Sequence, residues 1–412
     1  MMLQVNGQRL IRWLHELSQI GRTASGGVTR FALTPADRQA RQWLIDRAAE
    51  YGLEHRFDAV GNLFIRRPDA PSGPVIVAGS HVDTVPEGGR YDGALGVLSA
   101  LESLVRLQEE AIPTKHSVEV VVWTEEEGTR FKSGLVGSRA FIGEVSQEEL
   151  QAIDEQGNSL ADALRDWGLS PQQALTLAAD RPEVAAYLEL HIEQGGILEQ
   201  EELHIGVVSG IVGIRRYDVS VIGQANHAGT TPMPLRHDAL VGAAEMVLLV
   251  PSELQAMDFP QAVSTVGKLE VHPGGVNVVP GRVDFTLEVR DQETQVMDQI
   301  SERMLKKFAE IADRRGLQLK WQQTADVQPA PLDPAMRQAV RQAAQELGYR
   351  WRDMPSGAGH DAQHLAQICP TAMVFVPSQN GISHSPAEFT ADEDCVRGAN
   401  VLLNAILRAD TR

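Results

Sequence analysis

Four short apolar segments limit the folds that this chain can adopt. They are PVIVAG (74–79), VEVVVW (118–123), AAYLEL (185–190) and TAMVFV (371–376). Strands that are buried on both faces of a parallel sheet have such nearly continuous apolar runs. A helical stretch at about 94–108 separates the first two segments, as a βαβ unit requires. The sequence therefore predicts an α/β domain built on a mostly parallel sheet.

The segment from 212 to 325 has a different pattern. Its elements are, in order, a strand at RRYDVSVIG, a helix near 236–250, strands at AVSTVGKLEV and RVDFTLEVR, a long helix that stops at Gly316, and a strand at LQLKWQ. This β-α-β-β-α-β order is the split βαβ pattern of a ferredoxin-like domain. A chain of 412 residues is also too long for one ordinary core. We therefore predict that an α/β domain, residues 1–211 and 326–412, is interrupted by a smaller α+β domain, residues 212–325.

The charge and hydropathy patterns narrow the range of partners. The chain carries 37 basic and 55 acidic side chains, a net charge of -18, which argues against nucleic acid or an anionic membrane as a partner. No run approaches the roughly 18 apolar residues of a membrane span. The N-terminal segment has helical spacing interrupted by charges, unlike a signal peptide. We expect a soluble, cytoplasmic protein whose two cysteines, Cys369 and Cys395, are buried and not disulfide-bonded.

Histidines and carboxylates follow the ends of the four predicted strands. His81 follows the first strand, Glu125–Glu127 the second and His191 the third, and His384 lies one loop beyond the fourth. In open α/β sheets, ligands bind at this carboxyl edge of the strands. Each residue taken singly is explained more simply as part of a polar loop. Together they favour a metal site, because carboxylates crowded at one edge repel each other unless cations neutralise them.

The residue types predict two divalent ions held by nitrogen and oxygen. Histidine, aspartate and glutamate without thiolates suit zinc, manganese, cobalt or nickel. Asp92, in the glycine-flanked YDG, is placed to bridge two ions ~3.5–4 Å apart, which can clamp a hydrolytic water. We expect His81, His191 and His384 as terminal ligands, and Asp83 as the residue that orients His81. In the acidic triplet, one glutamate is expected to bind metal while its neighbour accepts the proton of the attacking water.

Six motifs resemble those of the hydantoinase/carbamoylase amidase family, a branch of the dinuclear metallopeptidase superfamily. They are GSHVDTV with YDG, TEEEGTRF, ELHIEQG, NHAGTTPM, VNVVPG, and SGAGHDA with GISHSPAE. The motifs extend from about Gly26 to Glu388 and span nearly the whole chain. The resemblance implies a catalytic domain with two divalent ions per subunit, zinc or manganese first, with cobalt or nickel as alternatives. It also implies that the inserted domain is a lid and dimerisation domain, so that a homodimer is expected.

The resemblance also assigns roles at the metal site. It implies five metal ligands, which are His81, Asp92, Glu127, His191 and His384. Asp92 is then the bridging ligand. Glu126 is the general base of catalysis, and Glu125 falls outside the set of metal ligands.

Five further positions match the substrate contacts of the family. They are Gln194, His227, Asn277, Arg290 and Gly359. His227 and Asn277 could donate hydrogen bonds to the oxygen that becomes negative during attack. Arg290 could hold a substrate carboxylate in two hydrogen bonds, although it could equally form a structural ion pair with an acid such as Asp291 or Glu293. Because three of these residues come from the inserted domain, we expect domain closure during turnover.

The resemblance implies hydrolysis of a ureido group of a small molecule, with release of ammonia and carbon dioxide. RRY (215–217), NHAGTTPM and SGAGHDA look more like the allantoate amidohydrolases, which we favour slightly. EVHPGGVNVVP and the QICP-to-EDC segment look more like the N-carbamoyl-L-amino acid hydrolases, the alternative. An aminoacylase-like or dipeptidase-like peptidase is a rival activity, against which ELHIEQG and NHAGTTPM speak. A non-catalytic metal-binding module is the rival class, but a spare glutamate and glycine-rich loops indicate an open site instead of a closed structural one.

Overall fold

The computed structural model describes residues 2–411, which divide into two compact units. The first unit extends to Ser209 and resumes at Leu332, and the second consists of Gly210–Pro331. The sequence placed the corresponding boundaries after residues 211 and 325. That the second unit acts as a lid and dimerisation domain stays a prediction.

The chain forms thirteen α-helices and sixteen strands within the described residues. The helices are α1 (Gly7–Leu17), α2 (Pro35–Ala49), α3 (Ala94–Glu109), α4 (Val136–Ile142), α5 (Leu160–Asp166), α6 (Pro171–Ala174), α7 (Leu177–Asp180), α8 (Ile197–Gln200), α9 (Ala239–Met257), α10 (Thr294–Arg315), α11 (Pro334–Glu346), α12 (Ala362–Leu365) and α13 (Asp392–Asp410). The strands are β1 (Glu54–Phe57), β2 (Leu63–Arg66), β3 (Val75–His81), β4 (Ser117–Trp123), β5 (Val184–Ile192), β6 (Ile205–Ile211), β7 (Gly213–Ile222), β8 (Asn226–His227), β9 (Val263–Thr265), β10 (Leu269–His272), β11 (Val278–Val279), β12 (Arg282–Asp291), β13 (Gln318–Val327), β14 (Ala330–Pro331), β15 (Trp351–Ser356) and β16 (Thr371–Val376).

The main sheet of the first unit has the order β1-β2-β4-β3-β5-β16-β6. Its four central strands, β4, β3, β5 and β16, run parallel to one another. The outer pairs β1–β2, β2–β4 and β16–β6 are antiparallel. Every residue of β3, β4 and β16 is buried, which explains their continuous apolar runs. The predicted α/β fold with a mostly parallel central sheet is confirmed.

The packing around this sheet fixes the edge where the strands end. Helix α3 connects β3 to β4 and contacts both strands, and α13 packs against α3. Leu98 and Leu101 of α3, Leu188 of β5 and Leu402 of α13 belong to one buried cluster. Parallel strands held in register in this way place their carboxyl ends at one edge of the sheet.

The second unit is an antiparallel sheet with two helices. Its strand order is β10-β12-β7-β13, with β9 also paired to β12. All of these pairs are antiparallel, and the chain order follows the split βαβ pattern predicted for this segment. AVSTVGKLEV, predicted as one strand, forms the two short strands β9 and β10. The chain breaks the ladder around Gly267, where the Thr286 N–H donates to the Lys268 carbonyl between them.

Helix α9 is the one helix among residues 2–411 whose length and composition would allow it to cross a membrane. The mean hydropathy of its most apolar window is 1.3, although only 22% of that window is buried. Ala243, Met246 and Val250 on one of its faces belong to the core of the second unit. The core helix of a globular unit passes the same test, so this helix does not by itself indicate a membrane protein.

Candidate metal centre

Three overlapping groups of histidines and carboxylates lie at the carboxyl edge of the central strands. The groups found among the described residues are His81 with Asp92 and His191, His81 with Glu126 and Glu127, and Asp92 with Glu127 and His384. Within each group, the possible ligand atoms all lie within 4.8 Å of one another. The strand ends therefore bring together all five predicted ligands and the predicted base.

Asp92 lies at the centre of these groups, and its two oxygens face different partners. Oδ1 lies 3.3 Å from Nε2 of His81 and 3.2 Å from Nε2 of His191. Oδ2 lies 3.5 Å from Nε2 of His384, which is in turn 3.6 Å from Oε2 of Glu127. A carboxylate whose oxygens point to two separate donor sets has the arrangement that bridging two ions requires.

The residue after Asp92 must be a glycine for the Asp92 loop to come this close to His81. The next residue, Gly93, has a φ of 61°, and a Cβ there would lie 2.5 Å from the imidazole Nε2 of His81. Only glycine combines that backbone conformation with so close an approach. The YDG sequence therefore lets the loop pass directly beneath the His81 ring and begin helix α3 at Ala94.

Two of the imidazoles are oriented by main-chain oxygens. Nδ1 of His81 lies 3.0 Å from the backbone oxygen of Asp83, and Nδ1 of His191 lies 2.9 Å from that of Ile192. Since a carbonyl can only accept, Nδ1 carries the proton in the neutral form of each ring, and Nε2 of that neutral form is free to bind a metal ion. The Gly93 N–H, 3.3 Å from Nε2 of His191, fits the same assignment.

Asp83 contacts the imidazole of His81 through its main chain and not through its carboxylate. The carboxylate oxygen Oδ1 lies 3.8 Å from Nδ1 of His81, beyond hydrogen-bond distance. The main-chain oxygen of Asp83 makes that contact instead, because the strand turns immediately after His81. The other carboxylate oxygen, Oδ2, accepts the N–H of Glu127 at 3.2 Å. Asp83 thus fixes the loop of a predicted ligand and, through its main chain, one imidazole.

Burial and mutual repulsion determine the charges of this centre. Burial raises the pKa of Glu126 well above its usual value, and the negative charges of Glu127 and Asp361 add to the effect. Burial and the charge of Asp92 likewise raise the pKa of Glu127 to about 7. Burial acts in the opposite direction on His81, but the carboxylates around it, Glu126 first, raise its pKa above the usual value.

This electrostatic pattern fits divalent cations. The carboxylates of this cluster are largely buried, as are His81 and His191, whereas His384 is exposed. Such crowded carboxylates need positive charge, which protons supply at low pH and metal ions can supply at neutral pH. The donors are imidazole nitrogens and carboxylate oxygens, which suit zinc and manganese as well as cobalt and nickel. Both buried cysteines lie outside the three groups found among residues 2–411.

Glu126 and Glu125 have separate environments although they are neighbours in sequence. Oε2 of Glu126 lies 3.5 Å from Nε2 of His81, at the edge of the cluster. Glu125 is buried and its Oε1 accepts the N–H groups of Arg130 and Phe131 at 3.0 and 2.9 Å. Glu125 therefore holds the shape of its own loop, as its exclusion from the ligand set requires.

The predicted substrate contacts of the first unit lie near the centre or on an open loop. Nε2 of Gln194 donates to Oδ2 of Asp92 at 2.7 Å and lies 3.5 Å from Nε2 of His384. Gly359 is exposed, and a Cβ on it would meet only Gln363 and Leu135 at 3.8 and 3.9 Å. Local packing within the described chain therefore does not require glycine at this position.

The remaining predicted contacts belong to the second unit. His227 lies on β8 opposite Val278 of β11, so this two-stranded ribbon places it beside Asn277. Nδ1 of His227 accepts the N–H groups of Gly229 and Thr230 at 3.0 and 3.2 Å, which leaves Nε2 as the protonated donor. The roles of His227 and Asn277 in substrate binding stay predictions.

Arg290 forms the ion pair that the sequence offered as its alternative, but with a different acid. Nε of Arg290 lies 2.7 Å from Oε1 of Glu288, whereas the sequence suggested Asp291 or Glu293. In a strand, residues two apart lie on the same face, so Glu288 was the better candidate. A part in holding a substrate carboxylate stays a prediction.

Sequence reasoning missed three buried residues beside the centre. The His360 ring lies 4.5 Å from that of His191, and burial lowers its pKa well below the usual value, which keeps it neutral. Glu189 accepts hydrogen bonds from Ser80 and from the Ala362 N–H. The third, Glu388, contacts the Asp92 loop. A usable signal existed for Glu189, because it lies two residues before His191 and so on the same face of β5.

The chain is similar to known proteins over nearly its whole length. Residues 77–408 match the family described as peptidase family M20/M25/M40. The chain is 42% identical over 404 residues to an N-carbamoyl-L-amino acid amidohydrolase of Geobacillus stearothermophilus, covering 98% of both chains. It is 38% identical over 403 residues to an allantoate amidohydrolase of Bacillus subtilis, covering 97% of this chain and 96% of that one.

A solved structure extends the similarity to three dimensions. The crystal structure of an amidase of the hydantoinase/carbamoylase family from Burkholderia multivorans superposes with a TM-score of 0.93, at 42% identity and with 99% of each chain covered. The predicted resemblance is confirmed. The chain is thus a hydrolase of C–N bonds and belongs to the metal-dependent peptidase family M20/M25/M40, among its hydantoinase/carbamoylase amidases.

Proposed function

We propose that this protein is a dinuclear metal-dependent amidohydrolase that cleaves the ureido group of a small carboxylate. The supporting observation is the position of Asp92, whose Oδ1 faces His81 and His191 while Oδ2 faces His384. Two ions would be held by His81, Asp92 and His191 on one side and by Asp92, Glu127 and His384 on the other. The proposed metals are zinc or manganese, with cobalt or nickel as alternatives.

Divalent ions bound here would polarise the ureido carbonyl and make a nearby water more acidic. The carboxylate of Glu126, beside His81, accepts the proton of the attacking water. The same proton then passes to the leaving nitrogen as the C–N bond breaks. Hydrolysis of either ureido C–N bond yields the amine, ammonia and carbon dioxide in balance with the water consumed.

The substrate contacts proposed for this reaction divide by chemistry. His227, through its protonated Nε2, and Asn277 donate hydrogen bonds to the carbonyl oxygen as it becomes negative. Arg290, whose guanidinium is held by Glu288, binds the substrate carboxylate. Gln194 and Gly359 border the ureido group, and the missing side chain of Gly359 leaves room for it.

Allantoate is the substrate that the sequence favours. Of the three motifs that favour allantoate, however, RRY (215–217) is explained by the packing of the second unit. Arg215 is buried and paired with Asp298 and Asp326, at 3.3 and 2.5 Å. Tyr217 of the same motif lies in the core of the second unit. The preference for allantoate therefore rests on NHAGTTPM and SGAGHDA.

N-Carbamoyl-L-amino acids are the second candidate. The observation in their favour is the 42% identity to the Geobacillus amidohydrolase, against 38% to the allantoate amidohydrolase of Bacillus subtilis. The two substrates share a ureido group beside a carbon that carries a carboxylate. The centre described above can serve either one.

Ammonia release by the manganese-loaded protein tests the proposal. Allantoate, a panel of N-carbamoyl-L-amino acids and a set of dipeptides would be offered in parallel, with Glu126→Gln as the blank. Turnover of allantoate alone supports the first candidate, and preference for carbamoyl amino acids supports the second. Dipeptide cleavage releases amino acids and no ammonia, so it is followed separately as newly formed free amino groups. Such cleavage without ureido turnover would overturn the proposal.

The assembly and cellular location are also proposals. We propose a homodimer formed through the second unit and a cytoplasmic location, with a small ureido compound as the ligand. The mass of the protein in solution, measured by light scattering for the full chain and for variants on the exposed face of α9, tests the dimer.

A further inference from the structure

The carboxylate of Glu388 connects two loops that carry predicted metal ligands. Glu388 is only 5% exposed and lies four residues beyond His384. Its Oε1 accepts the backbone N–H groups of Tyr91 and Asp92 at 2.9 and 3.1 Å. Its Oε2 accepts the hydroxyl of Ser383 at 2.9 Å. Glu388 therefore binds the backbone on one side and the residue before His384 on the other.

The hydroxyl of Ser383 lies between Glu388 and the bridging carboxylate, and it can donate its single proton to only one of them at a time. Its Oγ lies 3.1 Å from Oδ2 of Asp92, the oxygen that faces Nε2 of His384. Nearly 300 residues separate the two loops in sequence, so the connection depends wholly on the fold. The rings of Tyr91 and Phe389, 6.0 Å apart, reinforce it beside the carboxylate.

The Asp92 loop is shaped to receive this carboxylate. A Cβ at Gly89 would lie 1.9 Å from Oε1 of Glu388, so any side chain there would displace it. The loop therefore wraps closely around a group that has three hydrogen-bond donors. A buried carboxylate is costly unless such donors compensate for the lost water, and here they all come from the two ligand-bearing loops.

We propose that Glu388 is a positioning residue of the metal centre. It does not bind metal or substrate, and it sets the main chain at Asp92 and the Ser383–His384 segment so that Oδ2 and Nε2 converge on one ion. Groups that orient metal ligands in this way typically change metal affinity or activity by about 10- to 100-fold when they are removed. The inference rests on the proposed function, since it assigns a role toward the same two ions.

The chain provides a matched control at the opposite end of strand β4. Asp410 is 6% exposed, and its carboxylate accepts the backbone N–H groups of Lys115 and His116 at 2.9 and 2.8 Å. Lys115 and His116 also lie nearly 300 residues from Asp410 in sequence. They come just before the first residue of β4, whereas the metal centre lies beyond the last residue of that strand. Loss of the Asp410 carboxylate should therefore lower the free energy of unfolding and leave the metal affinity unchanged.

The experiment compares Glu388→Ala, Glu388→Gln and Asp410→Asn with the full-length parent. Calorimetric titration with Mn²⁺ gives the number of ions bound and each affinity, and the visible spectrum of the Co²⁺ form reports ligand geometry. Urea unfolding and the separate values of kcat and KM are measured for the same samples. We expect Glu388→Ala to lower the affinity for at least one of the two Mn²⁺ ions by 10-fold or more and to change the Co²⁺ spectrum. The variant should also lower kcat by a larger factor than it raises KM.

The two other variants make the result decisive. Glu388→Gln keeps an oxygen for the two amides, so its metal affinity should fall by less than that of Glu388→Ala. If Glu388→Ala does not fold, a lowered affinity in Glu388→Gln carries the test, and parental affinity in that variant overturns the proposal. Asp410→Asn should bind both ions with parental affinity.

Three results would contradict the inference or its premise. Two ions bound by Glu388→Ala with parental affinity and spectrum would refute the positioning role. An equal loss of affinity in Asp410→Asn would show that the effect follows general stability and would also refute it. A parent that binds no Mn²⁺ or Co²⁺ would refute the proposed function itself, which separates that failure from failure of the inference.

Discussion

Nε2 of His81 lies 3.3 Å from Oδ1 of Asp92, and both side chains are almost fully buried. Burial acts to raise the pKa of Asp92, but the charge of His191 and hydrogen bonds with the imidazoles of His191, His384 and His81 hold it well below its usual value. Asp92 is therefore the anion around which the three imidazoles are arranged. Its carboxylate is also the group whose two oxygens serve both donor sets.

Asp92→Asn should abolish the binding of both ions. The substitution replaces one oxygen by an amide nitrogen, which donates and cannot ligate, and it removes the shared negative charge. We expect less than about one thousandth of the parental turnover, in the range of losses found for residues that act in the chemical step. Elemental analysis after gel filtration measures the bound metal. Asp83→Asn is the control, because Asn can still accept the Glu127 N–H, and it should retain both ions with a smaller loss of activity.

Glu126→Gln should stop turnover while leaving the metal in place. A glutamine has nearly the same shape but cannot take the proton of the attacking water, so kcat should fall by about 10²- to 10⁴-fold. Glu125→Gln is the matched variant in the same triplet, since its amide oxygen can still accept the Arg130 and Phe131 N–H groups. Its kcat should stay within about tenfold of the parent. Equal losses in the two variants would contradict the assignment of the base.

These assignments show which parts of the centre are readable from sequence. His81 and His191 end apolar strands, and parallel strands deliver their ends to one edge, so a one-dimensional pattern was enough to group them. The buried, mostly parallel character of the sheet follows from the same segments because they are too apolar for any place but the interior, whereas the order of its strands was not predicted. The roles of Glu127 and Glu126 came instead from the resemblance to a family, since spacing alone left the members of the triplet indistinguishable.

Other parts depend on contacts that no local pattern encodes. The main chain of Asp83 orients His81, and the carboxylate of Asp83 does not, because the chain turns sharply at the end of β3. Glu388 reaches the Asp92 loop across 296 positions of sequence, so only the folded chain reveals it. Arg290 pairs with Glu288 because residues two apart share a face of a strand, a regularity that the sequence did contain.

Removal of metal by a chelator should separate a catalytic centre from a structural one. The cluster lies at one edge of a sheet whose core is packed by apolar side chains, so the apoprotein should keep its far-ultraviolet circular dichroism and a cooperative unfolding transition. Bound ions stabilise only by mass action, and we expect a lower Tm without loss of fold. Activity should vanish and return with Mn²⁺. Unfolding on chelation would support a structural metal module instead.

The two cysteines should be inert in the folded protein. Both are buried, and burial raises the pKa of the Cys369 thiol to about 11 and that of Cys395 further still. At pH 8 a thiol with such a pKa is a thiolate in roughly one molecule in a thousand, and the thiolate is the reactive form. A chromogenic disulfide reagent should thus label neither residue at pH 8 and both after unfolding in guanidinium. Rapid labelling of the native protein would contradict the buried positions.

The Arg41 guanidinium should be among the most important single groups for the stability of the first unit. It is about 1% exposed and pairs with Asp37 at 2.9 Å. It also donates to the carbonyl of Gly61, just before β2, and to those of Val122 and Trp123 at the end of β4. Arg41→Ala leaves a buried carboxylate and three carbonyls without their donor, so unfolding free energy should fall by about 3–5 kcal/mol. Urea denaturation measures it, with Arg12→Ala as the control. Nε of Arg12 lies 3.7 Å from Oε1 of Glu16, and both side chains are exposed. This pair should contribute less than about 1 kcal/mol, and similar losses in the two variants would show that burial does not set the cost.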